Sequence, residues 1–321
     1  MTSLYVDRRG IELRLDGAAI AFFEEGARVG TVPTGPLERI YLRGDVKLSS
    51  GLLGRLGAMD VGIVVLSGRR AEPTLFLPRS HNDAALRVAQ TRLHLDGAAA
   101  LGIARWLVRG KIKAQLALVE EWHGARPAAR SALIGPRDAL RLMVGHVASK
   151  ADLAALRGLE GAAAVQHFRA LAAVLPASVG FSGRNRRPPR DPVNAVLSLC
   201  YTLVMAEAAL AAHGHGFDPA IGFLHALDFG RPSFACDLAE PLRPIMDRHV
   251  WRLFADQTLR QRDFSIEKDG ACLLMKAGRE RFYEEIEEPL TEARRRLDAM
   301  LRALREMIRE KADVATLADH L

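Results

Sequence analysis

Cysteine is scarce in this sequence. The 321 residues include three cysteines, Cys200, Cys236 and Cys272, which lie far apart and form no CxxC pair. A scattered, odd-numbered set argues against a disulfide framework, a structural zinc site and an iron–sulfur cluster. We therefore expect a protein of a reducing compartment.

Long apolar runs and phosphate-binding motifs are also missing. No window approaches the roughly 18 uninterrupted apolar residues of a membrane helix, so the sequence predicts no membrane span. The first residues, MTSLYVDRRG, lack an apolar stretch behind a basic start, so no signal peptide is expected. No GxxxxGK[ST] loop is present, which argues against a nucleotide triphosphate as energy source. Together these absences predict a cytoplasmic protein.

Positive charge is in excess and is carried by arginine far more than by lysine. The 45 Lys and Arg residues outnumber 38 Asp and Glu, for a formal net charge of +7 and a pI near 9.6. Arginine binds phosphate oxygens through a planar fork, so the bias suits a nucleic-acid partner. A GC-rich genome that encodes arginine in place of lysine would leave the same bias, and composition does not separate the two interpretations.

The period of the hydrophobic pattern changes near residue 83. Before it, short alternating runs such as IELRLDG and AIAFFEEG are separated by Gly, Asp and Pro, which is typical of hairpins. One short helix, capped by Ser49 or Ser50 and ending at Met59, interrupts these strands. From Asp83 onward apolar residues recur every three or four positions. The sequence thus predicts an α+β protein with an N-terminal mostly-β domain over 1–82 and a larger all-α domain over 83–321.

Element bounds in the helical domain follow from the same periodicity. ARPAARSALIGPRD is expected to be a connection, and TLFLPRSHND a turn that closes the β-domain. Helices are predicted at about 137–157, 159–175, 191–213 and 219–228. The C-terminal segment is predicted to be one long amphipathic helix, whose apolar stripe contains Leu290, Leu297, Leu301, Leu304 and Ile308.

A histidine and two carboxylates are concentrated in GFLHALDFGRPSFACDLAEPLRP, residues 222–244. We expect His225 at the end of one helix, and Asp237 and Glu240 on one face of the next element, because residues three apart share a helix face. Pro241 should kink that helix, or the helix should restart with Glu240 as its cap and Pro241 in its first turn. Two adjacent like charges need a cation between them, and Arg243 or a divalent metal would serve. A surface row of ion pairs would have the same spacing.

Glu160, between Gly158 and Gly161, is a further carboxylate in an unusual setting. We expect it to begin a helix. A Glu/His/Glu set combines hard oxygens with one imidazole, which suits Mg²⁺ or Mn²⁺ better than zinc or calcium. Glu160 as a favourable charge in a first helical turn is the alternative, and spacing leaves both open.

The segment FSGRNRRPPR, residues 181–190, is a basic loop without an acid. Pro188 and Pro189 should hold it extended, so that the guanidinium groups project. Asp191 is expected to cap the next helix. The loop predicts a phosphate clamp that positions a nucleic acid, although a solvated basic loop is the alternative. The predicted DNA-binding residues are Arg184, Arg186, Arg187, Arg190, Asn194, which hydrogen-bonds back to the loop, Arg243 and Arg248.

Four motifs, in order along the chain, resemble a known family. They are GLEGAAAVQHF, NRRPPRDPVNAVLSLCYTL, GFDPAIGFLH and SFACDLAEPLRPIMD, and the family is the CRISPR-associated endonuclease and integrase of the adaptation module, the Cas protein numbered one. The resemblance implies a homodimer formed through the β-domain and a divalent metal, Mg²⁺ or Mn²⁺, held by Glu160, His225 and Glu240. Asp237 is implied as an acidic neighbour in the catalytic set. It competes with Glu240 for the third ligand position, and Glu240 is favoured.

The resemblance also implies an activity. A member of this family inserts short foreign DNA fragments as new spacers into a CRISPR array, by attack of a 3′-hydroxyl on a phosphodiester. It does so with a small ferredoxin-like partner protein in a heterohexamer, on double-stranded and branched DNA. The alternatives are an integrase of a mobile element, a stand-alone nuclease for branched DNA, and a non-enzymatic DNA-binding scaffold. The tail after Arg279 has no helix-turn-helix pattern, which disfavours the first of these.

Overall fold

The computed structural model describes residues 2–68, 71–78, 83–185 and 188–312. The chain divides into two compact units, one of Met1–Asn82 with His213–Gly216 and the other of Asp83–Ala212 with Phe217–Leu321. The first is rich in strands and the second in helices, so the predicted α+β class is confirmed.

The first unit contains two four-stranded sheets. In one sheet the first three strands are parallel and the fourth is antiparallel to its neighbour. In the other, two antiparallel pairs are extended by one short parallel strand. The first sheet has the order β1 (Thr2–Asp7), β5 (Leu37–Arg43), β7 (Gly62–Ser67), β8 (Glu72–Phe76), and the second has the order β4 (Ala27–Pro33), β3 (Ala19–Glu24), β2 (Ile11–Asp16), β6 (Val46–Leu48).

Alternation along the strands builds the core of this unit. In β2, Ile11 and Leu13 are buried whereas Arg14 is exposed, as period two requires. Helix α1 (Ser50–Ala58) contributes Leu52 and Leu56 to the same core. Its cap is Ser49, whose hydroxyl accepts the backbone N–H of Leu52 at 3.2 Å, so the predicted short helix is confirmed.

Strand β8 corrects one prediction. TLFLPRSHND was expected to be a turn, yet its first residues belong to a strand that pairs antiparallel with β7, with Val64 opposite Leu75. The β-forming residues Thr74, Leu75 and Phe76 complete the hydrogen bonds of an otherwise open sheet edge, which outweighs the turn signals that follow.

The second unit is a helical bundle with one small hairpin. Its helices are α2 (Ala84–Leu95), α3 (Gly97–Ala125), α4 (Arg130–His146), α5 (Leu153–Val174), α6 (Pro192–Gly214), α7 (Ser233–Ala239), α8 (Arg243–Ala255), α9 (Lys276–Glu285) and α10 (Glu287–Ala312), and the hairpin pairs β9 (Phe264–Ile266) with β10 (Cys272–Leu274).

Helix α10 has the predicted apolar stripe. All five of its predicted stripe residues are fully buried, as expected for an amphipathic helix on a core. Helix α6 is strongly apolar, and by length and composition it would be long enough to cross a membrane. However, 67% of its apolar window is buried inside the structure, as in the core helix of a globular unit.

Three of the predicted helices, at 137–157, 159–175 and 219–228, differ from the structure. The segment expected as a connection forms most of α4, which contains Pro136 in its interior, because burial of Leu133 and Leu140 outweighs the loss of one backbone hydrogen bond. The predicted helix 137–157 therefore ends at His146, and α5 begins at Leu153. No helix forms over residues 219–228, for a reason that belongs to the candidate site.

Candidate active site

Glu160 lies in the third turn of α5, so the expectation that it begins a helix is wrong. The helix starts seven residues earlier, where the Asp152 carboxylate accepts the backbone N–H of Ala155 at 2.7 Å. Glu160 therefore gains nothing from the helix N-terminus, and the alternative that explained it as a first-turn charge is excluded.

Glu240 occupies a break between two helices. Helix α7 ends at Ala239, a 3-10 turn follows over Glu240–Leu242, and α8 restarts at Arg243. Pro241 lacks the N–H that a continuous helix needs, so the predicted kink is confirmed. The Glu240 side chain is 7% exposed and that of Asp237 is fully buried. Burial excludes the surface row of ion pairs.

Lys111 joins the two glutamates. Its ammonium donates to Oε1 of Glu160 and, at 2.5 Å, to Oε2 of Glu240. The lysine is 3% exposed, on the inner face of α3. Helix α3 passes close to the break: a Cβ added at Gly110 would lie 3.8 Å from Cβ of Pro241, an ordinary van der Waals distance. Two carboxylates that are distant in the chain thus converge on one position for a cation.

The sequence contains a signal for Lys111 that was missed. In α3 the buried face includes Ala104, Leu107 and Val108, and Lys111 falls at the next position of that three-and-four spacing. A lysine on an apolar helix face requires a buried partner of opposite charge.

Cations keep Glu240 ionised despite its burial. Burial by itself would raise the pKa of this carboxyl, but Lys111, Arg243 and His225 lower it to about 2. Arg243 donates to Oε1 of Glu240 at 2.9 Å. His225 contacts Asp237, which precedes Glu240 by three residues.

Asp237 organises the loop that contains His225. Its carboxylate accepts the backbone N–H groups of Phe223 at 2.5 Å, Leu224 at 2.9 Å and His225 at 3.0 Å. Gly222 permits this approach, because a Cβ there would lie 2.9 Å from Oδ2 of Asp237. These donors are satisfied by a side chain rather than by helical carbonyls, which explains why the predicted helix over 219–228 is absent and why His225 lies in a loop.

Other helices also fix this loop. From α2, the Gln90 amide donates to the carbonyls of Asp218 at 3.0 Å and Ile221 at 2.8 Å. From α5, Arg157 donates to the carbonyl of Leu224 at 3.1 Å. The loop is therefore held from several directions although it has no regular secondary structure.

The same carboxylate orients the His225 ring. Nδ1 of His225 lies 2.6 Å from Oδ1 of Asp237. A carboxylate only accepts hydrogen bonds, so Nδ1 carries the proton and Nε2 of a neutral ring keeps its lone pair. The side chain is 30% exposed. His225 is thus prepared to bind a Lewis acid or a proton through Nε2.

Glu160, His225 and Glu240 are of the residue types that bind a divalent metal, but they are not arranged around one point in the structure. Within the described ranges, no three His, Cys, Asp or Glu residues are grouped closely enough to hold an ion. Glu160 and Glu240 instead share the Lys111 ammonium. A cation position between two carboxylates, beside an imidazole with its second nitrogen bound to a carboxylate, fits a hard divalent ion. Asp237 already accepts four hydrogen bonds, which favours Glu240 over Asp237 as the third ligand.

A buried polar chain lies behind Arg243. The Arg243 guanidinium lies over the Tyr201 ring at 4.7 Å, and the Tyr201 hydroxyl donates to Oδ1 of Asp247 at 2.5 Å. Oδ2 of Asp247 in turn lies 2.8 Å from Nε2 of His167. Burial, and then the Asp247 carboxylate, raise the pKa of the Tyr201 phenol, so it stays a donor. The chain fixes Arg243 against Glu240.

The arginine loop is anchored by Asn194, as predicted. The Asn194 amide donates to the carbonyl of Gly183 at 2.8 Å and accepts the backbone N–H of Asn185 at 3.0 Å. Asp191 caps α6 by accepting the backbone N–H of Asn194 at 2.8 Å. Arg184 does not project, because its guanidinium donates to Asn194 at 2.8 Å and to Ser198 at 3.0 Å.

The other predicted DNA-binding arginines differ in their surroundings. Arg190 is exposed. Arg248 donates to Glu121 at 2.8 Å, so a phosphate would compete with a carboxylate for its guanidinium. Arg186 and Arg187 lie outside the described residues.

Comparison with known proteins identifies the family. The family model for CRISPR associated protein Cas1 matches residues 4–288. A CRISPR-associated endonuclease Cas1 from Thermodesulfovibrio yellowstonii is 35% identical over 285 residues, which are 88% of this chain and 89% of the relative.

Solved structures show the same fold. A Cas1 protein from Thermotoga maritima has a TM-score of 0.84 at 22% identity, over 96% of this chain and 97% of the other. A casposase bound to integration product has a TM-score of 0.83 at 22% identity, over 97% and 91%. A chain of a Cas6-RT-Cas1–Cas2 complex has a TM-score of 0.79 at 20% identity, over 97% of this chain and 35% of that one. From the family model and the curated relative together, the chain belongs to the Cas1 family of CRISPR-associated proteins.

Proposed function

We propose that this chain is a nuclease and integrase of CRISPR adaptation, which joins short DNA fragments to a repeat array by transfer of a phosphodiester. The observation that carries the proposal is the convergence of Glu160 and Glu240 on one cation position, with His225 held by Asp237, three residues before Glu240. Family membership supports it, since curated relatives are named CRISPR-associated endonucleases.

Glu160, His225 and Glu240 would hold Mg²⁺ or Mn²⁺, which when bound neutralises charge that develops on the scissile phosphate. The protein supplies the rest. Asp237 orients the His225 ring through Nδ1, and Lys111 and Arg243 keep Glu240 ionised. Lys111 would have to leave the position between the carboxylates when the ion binds.

DNA would be held through phosphates by the arginine loop. Arg190 is the exposed guanidinium of the loop's described part, and Asn194 keeps the loop folded against α6. Arg184 would stabilise the loop through its hydrogen bond to Asn194. Arg186, Arg187 and Arg248 are the other predicted phosphate contacts, whereas the guanidinium of Arg243, also predicted, is occupied by Glu240 and the Tyr201 ring. Such contacts give affinity and register without reading the base sequence.

The expected partners are double-stranded and branched DNA, a second copy of this chain, and a small ferredoxin-like protein in a heterohexamer. The likeness to a chain of a Cas6-RT-Cas1–Cas2 complex supports a protein partner, and the likeness to a casposase bound to integration product supports DNA. The β-domain is the proposed dimer surface, and the cytoplasm the proposed location.

An integrase of a mobile element is the second candidate, because the casposase likeness, at a TM-score of 0.83, nearly equals that to a Cas1 protein at 0.84. The assay that separates the two is insertion of a DNA fragment with free 3′-hydroxyl ends into a plasmid with or without a CRISPR repeat. Preference for the repeat supports adaptation, and equal insertion elsewhere supports the mobile-element function.

The chemistry is tested by the same assay in Mn²⁺, Mg²⁺ or EDTA. We expect product with either metal and none in EDTA. His225→Ala should abolish the product while DNA affinity stays within about twofold, since phosphate contacts supply most of that affinity. His146→Ala, at an exposed histidine at the end of α4, is the control. If His225→Ala reacts at the wild-type rate, the assignment of the site is wrong.

A further inference from the structure

Phe229 is fully exposed, at 105% of its reference area. It belongs to residues 226–232, which follow His225 directly in the chain. We call this segment the site loop. Single exposed apolar side chains are common on protein surfaces. What distinguishes Phe229 is how the backbone beneath it is held.

The ring lies at the tip of a closed turn. The carbonyl of Asp228 accepts the backbone N–H of Arg231 at 3.1 Å, so Phe229 and Gly230 are the two central residues of a β-turn. Gly230 has φ of 71°, the positive value that the third position of a type II turn requires. Phe229 occupies the second position of this turn, so its backbone conformation is fixed by the hydrogen bond that closes the turn.

Arg231 braces the turn from inside. Its guanidinium lies 3.5 Å from the Asp228 carboxylate and donates to the carbonyl of Ala226. The Ser233 hydroxyl donates to the same carbonyl at 2.8 Å. Both ends of the site loop are therefore joined across its base.

Below the turn, the neighbouring aromatic residues are packed inward. Phe223 and Phe234, on either side of the site loop, are buried with ring centroids 5.9 Å apart, and Phe217 packs on Phe234 at 5.3 Å. The three phenylalanines that flank the site loop are thus buried, whereas Phe229 within it is exposed on a rigid support.

The ring is close to the reaction centre. Phe229 is four residues from His225, so their Cα atoms are at most about 14 Å apart. A DNA strand advances about 3.4 Å per nucleotide. The ring therefore reaches a base within about four nucleotides of a phosphate that lies at His225.

The geometry points to an unpaired nucleobase as the ligand of Phe229: the ring stacks on a base that is displaced from the helix within a few nucleotides of the reacting phosphate. This inference rests on the proposed function. Either flat face of a base is about the size of a phenyl ring, and stacking needs no wider apolar surface. A protein partner would need a broad patch, and Leu227, at 56% exposure, is the other large apolar side chain of the site loop.

The test uses a forked duplex that carries 2-aminopurine at the first unpaired position, and the matching fully paired duplex, both in EDTA. With the wild-type chain we expect tighter binding to the fork and quenching of the 2-aminopurine fluorescence. Stacking is worth about 1–3 kcal/mol per base, so Phe229→Ala should weaken fork binding by roughly 5- to 140-fold and remove the quenching. Affinity for the paired duplex should be unchanged.

Three variants separate stacking from other roles of the ring. Phe229→Trp should keep fork binding and quenching, whereas Phe229→Leu, which is apolar but has no π face, should behave like Phe229→Ala. Leu227→Ala, on the same site loop, should behave like the wild type. Equal fork binding by wild type and Phe229→Ala, or full function of Phe229→Leu, would overturn the stacking role while the proposed function stands.

Two further outcomes also count against the inference. If Phe229→Ala changes the elution of the chain from dimer to monomer and leaves fork binding intact, the ring covers a second copy. If the wild-type chain binds neither DNA, the proposed function itself fails, and the role of Phe229 fails with it.

Discussion

Asp237 and His225 are joined through both backbone and side chain: Oδ1 of the carboxylate accepts the His225 backbone N–H at 3.0 Å and lies 2.6 Å from its Nδ1. One acidic residue therefore fixes both the path of the loop and the orientation of the imidazole ring. This dual contact assigns Asp237 a positioning role beside the proposed ligands.

Asp237→Asn should lower the affinity for Mn²⁺ by about 10- to 100-fold, as loss of such outer contacts to a ligating histidine does elsewhere. The new amide would also direct an N–H toward the donors of Phe223 and Leu224, so we expect the melting temperature to fall. Calorimetric titration with Mn²⁺ and thermal unfolding measure the two effects. Asp228→Asn, at an exposed carboxylate of the site loop, is the control, and an unchanged Mn²⁺ affinity in Asp237→Asn would contradict the positioning role.

Lys111→Met should destabilise the metal-free protein, because it leaves the carboxylates of Glu160 and Glu240 without the cation that they share. Loss of one partner of a buried ion pair costs about 3–5 kcal/mol. Urea unfolding in EDTA measures this loss, and Mn²⁺ should restore more stability to the variant than to the wild type. Lys113→Met, at an exposed lysine on the same helix, is the control. A Lys111→Met variant as stable as the wild type in EDTA would show that the bridge contributes nothing.

Much of this fold follows from periodicity, and its exceptions have local physical causes. The β-domain, α6 and the stripe of α10 were all predicted, because their burial repeats every two residues or every three to four. The helix expected over 219–228 was wrong because Asp237, twelve residues after His225, accepts the backbone donors of that segment. No local pattern shows a hydrogen bond across such a separation.

The candidate site was predictable in its acids and not in its lysine. Motif resemblance supplied Glu160, His225, Asp237 and Glu240 as one set with their expected roles, whereas the hydrogen bonds of Asp237 to the loop that contains His225 required coordinates. The inward turn of Arg184 is a similar case: the prolines of its loop predict projection, but Asn194 and Ser198 offer acceptors to its guanidinium.

His249 should make the protein sensitive to mild acid. Burial, and secondarily Arg252, lower the pKa of its imidazole from 6.5 to about 4. Above pH 6.5 the ring is neutral in both states, but between pH 6.5 and 4 the unfolded chain binds a proton that the folded chain does not. Stability should therefore fall as the pH drops through this range, by up to roughly 3 kcal/mol.

Urea unfolding at several pH values measures this slope. His249→Gln should flatten it relative to the wild type, whatever its effect on stability at neutral pH. His146→Gln, at an exposed histidine, should keep the wild-type slope. An identical pH dependence in His249→Gln and the wild type would assign the acid sensitivity to other groups.

Arg190→Ala should weaken DNA binding equally for all sequences. If its guanidinium contacts one phosphate, the slope of log affinity against log salt concentration should become shallower by about 1, because one fewer counterion is released. Fluorescence anisotropy with a labelled duplex over a range of salt concentrations measures the slope. Arg302→Ala removes an exposed arginine that already pairs with Asp298 on α10, and it should leave the slope unchanged. If the slope is the same for Arg190→Ala and the wild type, Arg190 does not contact a phosphate, because loss of such a contact always reduces the number of counterions released.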